Sequence, residues 1–228
     1  MSMIYKILKK AIPASLKQLI KPIFFFIKYR FVPPPAWSDL SGYEVLLDAL
    51  LKEKIVKVEG DFVEIGVFLG GGTYKLSKFL EKNAVHKKLY AIDIFSPDFD
   101  KSVCTQGMGM NELYKSILKD KDQMAVYKDI TKNCSNIITI KEDSMIVELP
   151  CKKVAFAYID GNHDPKYVKN DFYLVWDKIS PGGVVSFDDY GHDLPGVTKA
   201  IDELVAEKAA EISKTWTVGL KTIFIRKK

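Results

Sequence analysis

The chain has 228 residues, 47% of them apolar, which is enough for one well-cored domain with a short extension. Its formal net charge of +5 is unevenly spread: residues 1–30 contain seven Lys or Arg and no acid, whereas the rest has 27 basic and 29 acidic side chains. A body without excess positive charge argues against a nucleic-acid enzyme with a broad cationic face. The three cysteines and three histidines are scattered, which excludes a Cys/His metal cluster and indicates reduced cysteines in a cytosolic protein.

Residues 1–30 form a basic arm in which apolar residues recur at steps of three and four, with Pro13 and Pro22 interrupting the helical pattern. Such a helix either lies on an anionic membrane surface or packs on the domain as a lid or a dimer-forming arm, and the pattern does not separate these alternatives. The apolar run near Ile23 to Ile27 is far shorter than the ~20 residues of a membrane span, and no secretory signal is recognisable. We expect a cytoplasmic protein, with contact at the inner face of the membrane and homo-oligomerisation left open.

The three prolines at 33–35 predict a stiff, extended linker that ends the arm. Beyond them, Ser41 and Glu44 have the spacing of a capping box, which predicts a helix that runs through about Leu51. The arm and linker would then occupy residues 1–35, and the domain would begin at residue 36.

From residue 61 onwards, short apolar strands alternate with helical patterns. Strands are predicted at 61–65, 89–94, 137–141, 154–159 and 183–187, and helices at 73–83, 111–127, 165–179 and 197–212. Apolar strands separated by helices indicate a parallel sheet covered on both faces. Two more strands, at 214–218 and 221–226, would form an antiparallel hairpin around Gly219. The prediction for residues 36–228 is therefore an α/β domain with a doubly wound, seven-stranded sheet.

Four glycines follow the first of these strands, at the point where it must turn into a helix: Gly66, Gly70, Gly71 and Gly72. Glycines let the backbone approach a ligand closely, with the amides at the start of the helix facing it. The spacing G-x-x-x-G-G-G lacks the second glycine of the dinucleotide fingerprint, and the Lys of a P-loop is absent. Glu64 at the strand tip would repel a phosphate, so it favours a ligand that offers donors or positive charge.

Acidic residues stand at the end of every predicted parallel strand, where ligands bind in such sheets. Asp93 on the second strand is placed to accept ribose hydroxyls, and Asp143 with Ser144 on the third suits an adenine edge. The fourth and fifth tips carry Asp160, Asp188 and Asp189. Carboxylates brought together raise one another's pKa unless a cation neutralises them, and ligation by oxygen atoms alone suits Mg²⁺ or Ca²⁺.

Two motifs link these patterns to a known family. The spacing E-x-G-x-x-x-G-G from Glu64 resembles motif I of class I S-adenosylmethionine-dependent methyltransferases, and the predicted Rossmann-like sheet is similar to theirs over about residues 40–228. The motifs D-G-N-H at 160–163 and D-D-Y at 188–190 resemble the branch of macrocin-type sugar O-methyltransferases and cephalosporin hydroxylase-like proteins.

The resemblance implies a set of site residues and a reaction. S-adenosylmethionine would be bound by Glu64, Gly66, Gly70, Gly71, Thr73, Asp93, Asp143, Ser144 and Asp160. Mg²⁺ would be held by Asp160, Asp188 and Asp189, and would chelate two neighbouring hydroxyls of the substrate. The expected reaction is methyl transfer to a hydroxyl of a saccharide or another small hydroxylated acceptor.

The expected base departs from the family pattern. Members of that branch commonly carry a second Asp where this chain has Asn162, which cannot take a proton. The base would then be His163, which has the better motif position, or His192. Asp160 completes the set of candidate catalytic residues, and residues 96–110 are expected to form a mobile loop over the site.

Two other functions are open at this point. A nucleotide-linked oxidoreductase could use the same layers, although the missing G-x-G-x-x-G and the acid at Glu64 disfavour it. A non-catalytic, membrane-associated binding module would use the arm rather than the strand tips.

Overall fold

The structure is a computed structural model that describes residues 13–228, except positions 31, 41 and 85. The seven α-helices of these residues are α1 (Ala14–Tyr29), α2 (Tyr43–Lys52), α3 (Gly71–Asn83), α4 (Met110–Leu118), α5 (Gln123–Thr131), α6 (Pro165–Trp176) and α7 (Pro195–Glu207). The strands are β1 (Asp61–Ile65), β2 (Leu89–Asp93), β3 (Ile137–Lys141), β4 (Val154–Ile159), β5 (Ile179–Phe187), β6 (Ile212–Val218) and β7 (Thr222–Lys227). Short 3₁₀ helices cover Pro34–Asp39 and Ile55–Lys57.

The seven strands form a single sheet in the order β3-β2-β1-β4-β5-β7-β6. Strands β1 to β5 are mutually parallel, and β7 pairs antiparallel with both β5 and β6. This confirms the predicted doubly wound, Rossmann-like sheet with its C-terminal hairpin. The strand order reverses between β1 and β4, so the crevice beyond these two strand ends is the expected ligand site.

Burial of both sheet faces holds the domain together. All six residues of β4 are buried, as expected for a central parallel strand with helices on each side. On one face Val63 packs in a cluster with Trp176 of α6. On the other face Phe62 contacts Phe156, with ring centroids 5.2 Å apart, in a cluster that includes Leu76 of α3. Neighbouring residues of β1 thus pack on opposite faces of the sheet, because side chains alternate along a strand.

Several element boundaries differ from the sequence predictions. The single helix expected at 111–127 is two helices, because the chain leaves helical geometry at Lys119, where φ is +54°. Helix α5 then starts with the Asp122 side chain as its N-cap, accepting from the amide of Ala125 at 2.7 Å. Strand β5 begins at Ile179 rather than 183. A register shift in its pairing with β4 accommodates the intervening Pro and Gly residues.

The predicted extended linker is wrong, because Pro34 begins a 3₁₀ helix that packs on the domain. Ala36 and Leu40 are fully buried there, in one cluster with Tyr29 of α1 and Leu69. The C-terminal end of the arm is therefore anchored to the domain.

The helix expected from the capping box is present as α2. Its N-cap is Gly42 in left-handed geometry, while Ser41 and the periodic positions 1–12 of the arm lie outside the described residues. Pro22 does not end α1, which continues to Tyr29. Within the described part of the chain, no helix combines the length and apolarity needed to cross a bilayer.

Candidate active site

Gly66 is the glycine that shapes the ligand crevice. It follows β1 with φ of +85°, and a Cβ built on it would lie 2.0 Å from the carbonyl oxygen of Asp160. Any other residue would push the tips of β1 and β4 apart, so glycine is required for this close approach.

The other glycines of the loop face away from the crevice. The amide of Gly71 donates to Asp39 Oδ2 at 2.8 Å, and a Cβ on Gly72 would lie 2.2 Å from the Tyr43 hydroxyl oxygen. The start of α3 is thus covered by the Pro34–Asp39 helix and α2. Of the residues predicted to bind the cofactor, Gly70, Gly71 and Thr73 are buried under this cover and do not line the crevice.

Glu64 is also buried below the crevice rather than exposed in it. The Tyr43 hydroxyl donates to its Oε1 at 2.8 Å, which ties α2 to β1. Burial raises the pKa of Glu64 to about 7, and the nearby hydroxyls of Thr73 and Tyr43 offset part of that rise. Its second oxygen, Oε2, has no well-aligned hydrogen bond among the described residues.

A cleft of about 620 Å³, including its open mouth, lies at the carboxyl ends of β1 to β4. It brings together five predicted residues: Gly66, Asp93, Asp143, Ser144 and Asp160. Aromatic side chains complete its walls, and none of the described lining residues is basic. The cleft is therefore suited to a ligand with positive charge and unsuited to a free phosphate.

The Asp93 carboxylate is held rigidly at the cleft wall. Its Oδ2 accepts from the amides of Val67 (2.9 Å) and Phe68 (3.0 Å), and its Oδ1 accepts from the amide of Phe95 at 2.6 Å. Burial raises the pKa of Asp93, and these amides oppose the rise. Its Oδ1 also accepts a longer bond, of 3.4 Å, from the side-chain amide of Gln123. Since a carboxylate accepts about four hydrogen bonds, a ligand hydroxyl would bind Asp93 by displacing this long bond.

His163 lies between two carboxylates. Its Nδ1 is 2.5 Å from Asp100 Oδ2 and its Nε2 is 3.0 Å from Asp189 Oδ2. Burial alone would lower the pKa of His163, but hydrogen bonds to Asp100 and Asp189 raise it to about 10. The imidazolium therefore carries a proton on each nitrogen at neutral pH. The prediction that His163 is the base does not fit this geometry, because neither nitrogen has a free lone pair.

The predicted metal trio has a different arrangement from the one expected. Lys221 Nζ lies 2.8 Å from Asp189 Oδ1 and also forms an ion pair with Asp188 Oδ2. The remaining oxygen of Asp188 accepts from Thr222 Oγ1 at 3.0 Å. Burial would raise the pKa of Asp189, but His163 and Lys221 hold it well below the usual range. For Asp188, burial prevails over Lys221 and raises the pKa.

Asp160 differs from its two neighbours because its carboxylate makes no hydrogen bond within the described part of the chain. The side chain is 33% exposed, lines the cleft, and lies 4.0 Å from His163 Nε2. Desolvation raises its pKa well above the ordinary value, and the charges of Asp188 and Asp189 add to this rise. It is the carboxylate of this cluster that a ligand in the cleft can reach.

His192 is not brought to the site. Its side chain is 49% exposed, pairs with Asp193 at 3.3 Å, and does not line the cleft. The structure therefore does not bring this predicted alternative base to the cleft.

Three side chains near the site were missed in the sequence analysis. Asp100 comes from the loop expected over the site, and the ring of Tyr114, on the following helix, forms part of the cleft wall. Lys221 comes from the C-terminal hairpin. A signal existed for Lys221, because Phe187 pairs with Ile223, and extending that antiparallel register by two residues places Lys221 opposite Asp189.

Together, the sheet order, the Gly66 turn and the acidic cleft define a class I S-adenosylmethionine-dependent methyltransferase. The sequence agrees, since residues 63–190, more than half of the chain, match a family described as a methyltransferase domain. The chain belongs to that family. It is also 29% identical over 154 residues to an uncharacterised protein of Acanthamoeba polyphaga mimivirus, an alignment that covers 64% of this chain and 59% of that protein. The chain thus spans about three fifths of the length of this curated relative.

Solved structures of similar fold include several methyltransferases. The O-methyltransferase NovP has a TM-score of 0.62 at 17% identity, covering 81% of this chain and 80% of its own. CalS11, described as a TDP-rhamnose 3'-O-methyltransferase of calicheamicin biosynthesis, has a TM-score of 0.57 at 17% identity, covering 97% and 90%. An rRNA methylase from Streptococcus thermophilus has a TM-score of 0.50 at 11% identity, covering 78% and 94%. At these identities the likeness concerns the fold.

Proposed function

We propose that the protein transfers a methyl group from S-adenosylmethionine to a hydroxyl of a saccharide or another small hydroxylated acceptor. The observation that carries this proposal is the position of Asp160, a carboxylate without a hydrogen-bond partner among the described residues, on the wall of the acidic cleft. Two fold neighbours described as O-methyltransferases, one of them acting on a nucleotide-linked sugar, support the choice of acceptor class.

The residues of the cleft fit the cofactor in three places. The rigid Asp93 carboxylate can accept a ribose hydroxyl in place of its long bond from Gln123, and Asp143 with Ser144 lies farther along the same cleft. Gly66 lets the tips of β1 and β4 meet at the cleft, where a Cβ would clash with the Asp160 carbonyl. The absence of basic residues from the described lining suits the ammonium and sulfonium of the methionine part.

The chain's own residues account for the acid–base part of the reaction. S-adenosylmethionine, when bound, supplies a methyl group on a positively charged sulfur, which keeps the bonding electron pair when the methyl passes to the acceptor oxygen. Asp160 removes the proton of the acceptor hydroxyl, because it is the carboxylate of this cluster that lines the cleft without a hydrogen-bond partner among the described residues. His163 stays protonated and fixes Asp189 and Asp100 beside it. The walls orient the two reactants and exclude water.

The predicted divalent cation does not fit the residues as they stand. Both oxygens of Asp188 and both of Asp189 are already engaged by Lys221, Thr222 and His163. An alternative set of Asp160, His163 and Asp189 brings its ligand atoms within 4.8 Å of one another. That set does not suit Mg²⁺ either, because one of its three ligand atoms is an imidazole nitrogen, whereas Mg²⁺ prefers oxygen ligands. The ammonium of Lys221 also lies against Asp189 already.

For the arm, we propose contact with an anionic membrane surface, at the cytoplasmic face. Helix α1 exposes a set of apolar side chains: Leu16, Ile20, Ile23, Phe24, Phe26 and Ile27. The seven basic residues of positions 1–30, without a single acid, match a negatively charged partner. The buried end of the arm at Tyr29 would hold the domain close to that surface.

The methyltransferase proposal is tested by incubating the protein with methyl-labelled S-adenosylmethionine and a panel of nucleotide sugars, simple glycosides, catechols and RNA. We expect label in a hydroxylated small molecule. Transfer to RNA instead, or to nitrogen, would overturn the acceptor class while leaving the family assignment in place.

A further inference from the structure

Lys221 is fixed in place by both its main chain and its side chain. The Lys221 carbonyl accepts from the amide of Tyr190 at 2.8 Å, just beyond the last β5–β7 pair. This backbone contact positions the ammonium against the carboxylates of Asp188 and Asp189. The lysine is therefore part of the hairpin framework and is not a mobile surface side chain.

The ammonium of Lys221 occupies the position in which a metal ion would bind Asp188 and Asp189. It bridges one oxygen of Asp188 and one of Asp189. The second oxygen of Asp188 is hydrogen-bonded to Thr222, and the second oxygen of Asp189 is hydrogen-bonded to His163. A divalent metal could bind these two carboxylates only by displacing the ammonium, because both lie within ion-pair distance of it.

We propose that Lys221 takes the place of a divalent metal in this site and that the enzyme works without one. This inference rests on the proposed methyl transfer and identifies the cation of its site. The ammonium pairs with both Asp188 and Asp189, which leaves Asp160 as the carboxylate that reaches the acceptor.

The exchange of a metal for an ammonium also changes the acceptor that the site requires. A lysine ammonium donates hydrogen bonds but has no coordination positions, so it cannot chelate two neighbouring hydroxyls as a metal does. The acceptor then needs a single reactive hydroxyl, and a vicinal diol is not required.

Binding of Mn²⁺, measured by electron paramagnetic resonance after treatment with EDTA, tests this directly. Wild type should bind no Mn²⁺ at the site. Lys221→Ala should bind about one equivalent, because it opens the carboxylate oxygens, and adding Asp160→Asn should weaken that binding. Lys214→Ala, on the same hairpin but paired with Glu53, is the matched control and should behave as wild type. Tight binding by wild type that is lost in Asp160→Asn, or no binding by a folded Lys221→Ala, would overturn the proposal.

Two further measurements test the proposal if Lys221→Ala does not fold, and test the proposed function separately. If Lys221→Ala does not fold, the wild-type unfolding midpoint decides: it should be the same with EDTA and with added Mg²⁺, and a rise with Mg²⁺ would contradict the proposal. Calorimetric titration of the wild type with S-adenosylhomocysteine reports on the proposed function separately. A protein that fails to bind this ligand would lose the methyltransferase proposal, while the Mn²⁺ result would still show whether Lys221 fills the cation position.

Discussion

Asp100 and His163 are 63 positions apart in the chain, yet Oδ2 of the one lies 2.5 Å from Nδ1 of the other. The contact ties the loop after β2 to the tip of β4. Because Asp189 holds the opposite nitrogen, the imidazolium links three segments around the end of the cleft. His163 is therefore a charged structural link in the site, which is why we propose Asp160 in its place as the base.

Removing one carboxylate should change the titration of His163. In wild type, we expect the His163 ring to stay protonated through pH 8, since its pKa is raised to about 10. Asp100→Asn should lower that pKa, although Asp189 will keep it above the usual value. NMR titration of the ring protons measures both. The matched control is Asp193→Asn, which removes a carboxylate beside the other, exposed histidine. A wild-type His163 that titrates near its ordinary value would refute this account.

The same pKa predicts how stability depends on pH. A histidine whose pKa rises on folding stabilises the native state fully below its unfolded value, about 6.5, and the contribution disappears as the pH climbs through about 10. Denaturant unfolding between pH 6 and 10 should therefore show a loss of free energy of unfolding in wild type. Asp100→Asn should show a smaller loss over the same range, whereas identical slopes for the two proteins would contradict the prediction.

Glu64→Gln should make the free energy of unfolding less dependent on pH between about 4.5 and 7. Burial raises the pKa of Glu64 from 4.5 to about 7. The native state is thus favoured most below pH 4.5, and this advantage is lost as the pH rises through 7. The amide cannot ionise, so the variant should unfold with little change in free energy from this source across that range. The exposed Glu112 offers a control in Glu112→Gln, which should keep the wild-type profile.

Asp160→Asn tests the proposed base. We expect turnover to fall by about 100- to 10,000-fold, the usual contribution of general base catalysis. Binding of S-adenosylhomocysteine should stay near the wild-type affinity, because that product carries no sulfonium charge for Asp160 to attract. Single-turnover kinetics together with calorimetry separate the two effects. A variant that keeps wild-type turnover would remove Asp160 from the mechanism.

The arm can be tested with point substitutions on α1. Ile23 and Ile27 are 62% and 70% exposed and lie one helical turn apart. Replacing both with Glu should abolish flotation with phosphatidylglycerol vesicles, since it removes apolar area and adds negative charge. Leu220→Glu is the control, because Leu220 is 96% exposed on the C-terminal hairpin. Unchanged flotation of the double variant would exclude the membrane surface, and a loss of dimers by sizing would assign the helix to a second copy.

The positions of the strands were predictable because they depend on local pattern, whereas the arrangement of the sheet was inferred from the resemblance to methyltransferases. Every strand of the parallel sheet and the final hairpin were located from apolar runs and turn residues, within a few residues of their bounds. The break at Lys119 and the capping role of Asp122 were missed because a run of charged residues does not interrupt a helical pattern by itself. The 3₁₀ helix at Pro34–Asp39 depends on burial against α3, which local sequence does not reveal.

Part of the site was predictable as well, because the ends of the strands can be located from the sequence pattern. Strand-tip acids such as Asp93 and Asp160 lie in the cleft because parallel strands end at one edge. The partners of these acids come from distant segments, and they decide the chemistry. Asp100 stabilises the protonated form of His163, and Lys221 pairs with the carboxylates assigned to a metal. Glycine spacing alone could not show that Gly71 faces Asp39 instead of the ligand.

Calorimetric titration with S-adenosylhomocysteine, with NAD as the comparison ligand, tests the central claim most directly. We predict one binding site for S-adenosylhomocysteine and none for NAD. Asp93→Ala should weaken the affinity by roughly tenfold or more, because a charged hydrogen-bond acceptor is lost from the cleft. The exposed Asp129→Ala should leave the affinity unchanged. Binding of NAD without binding of S-adenosylhomocysteine would contradict the account.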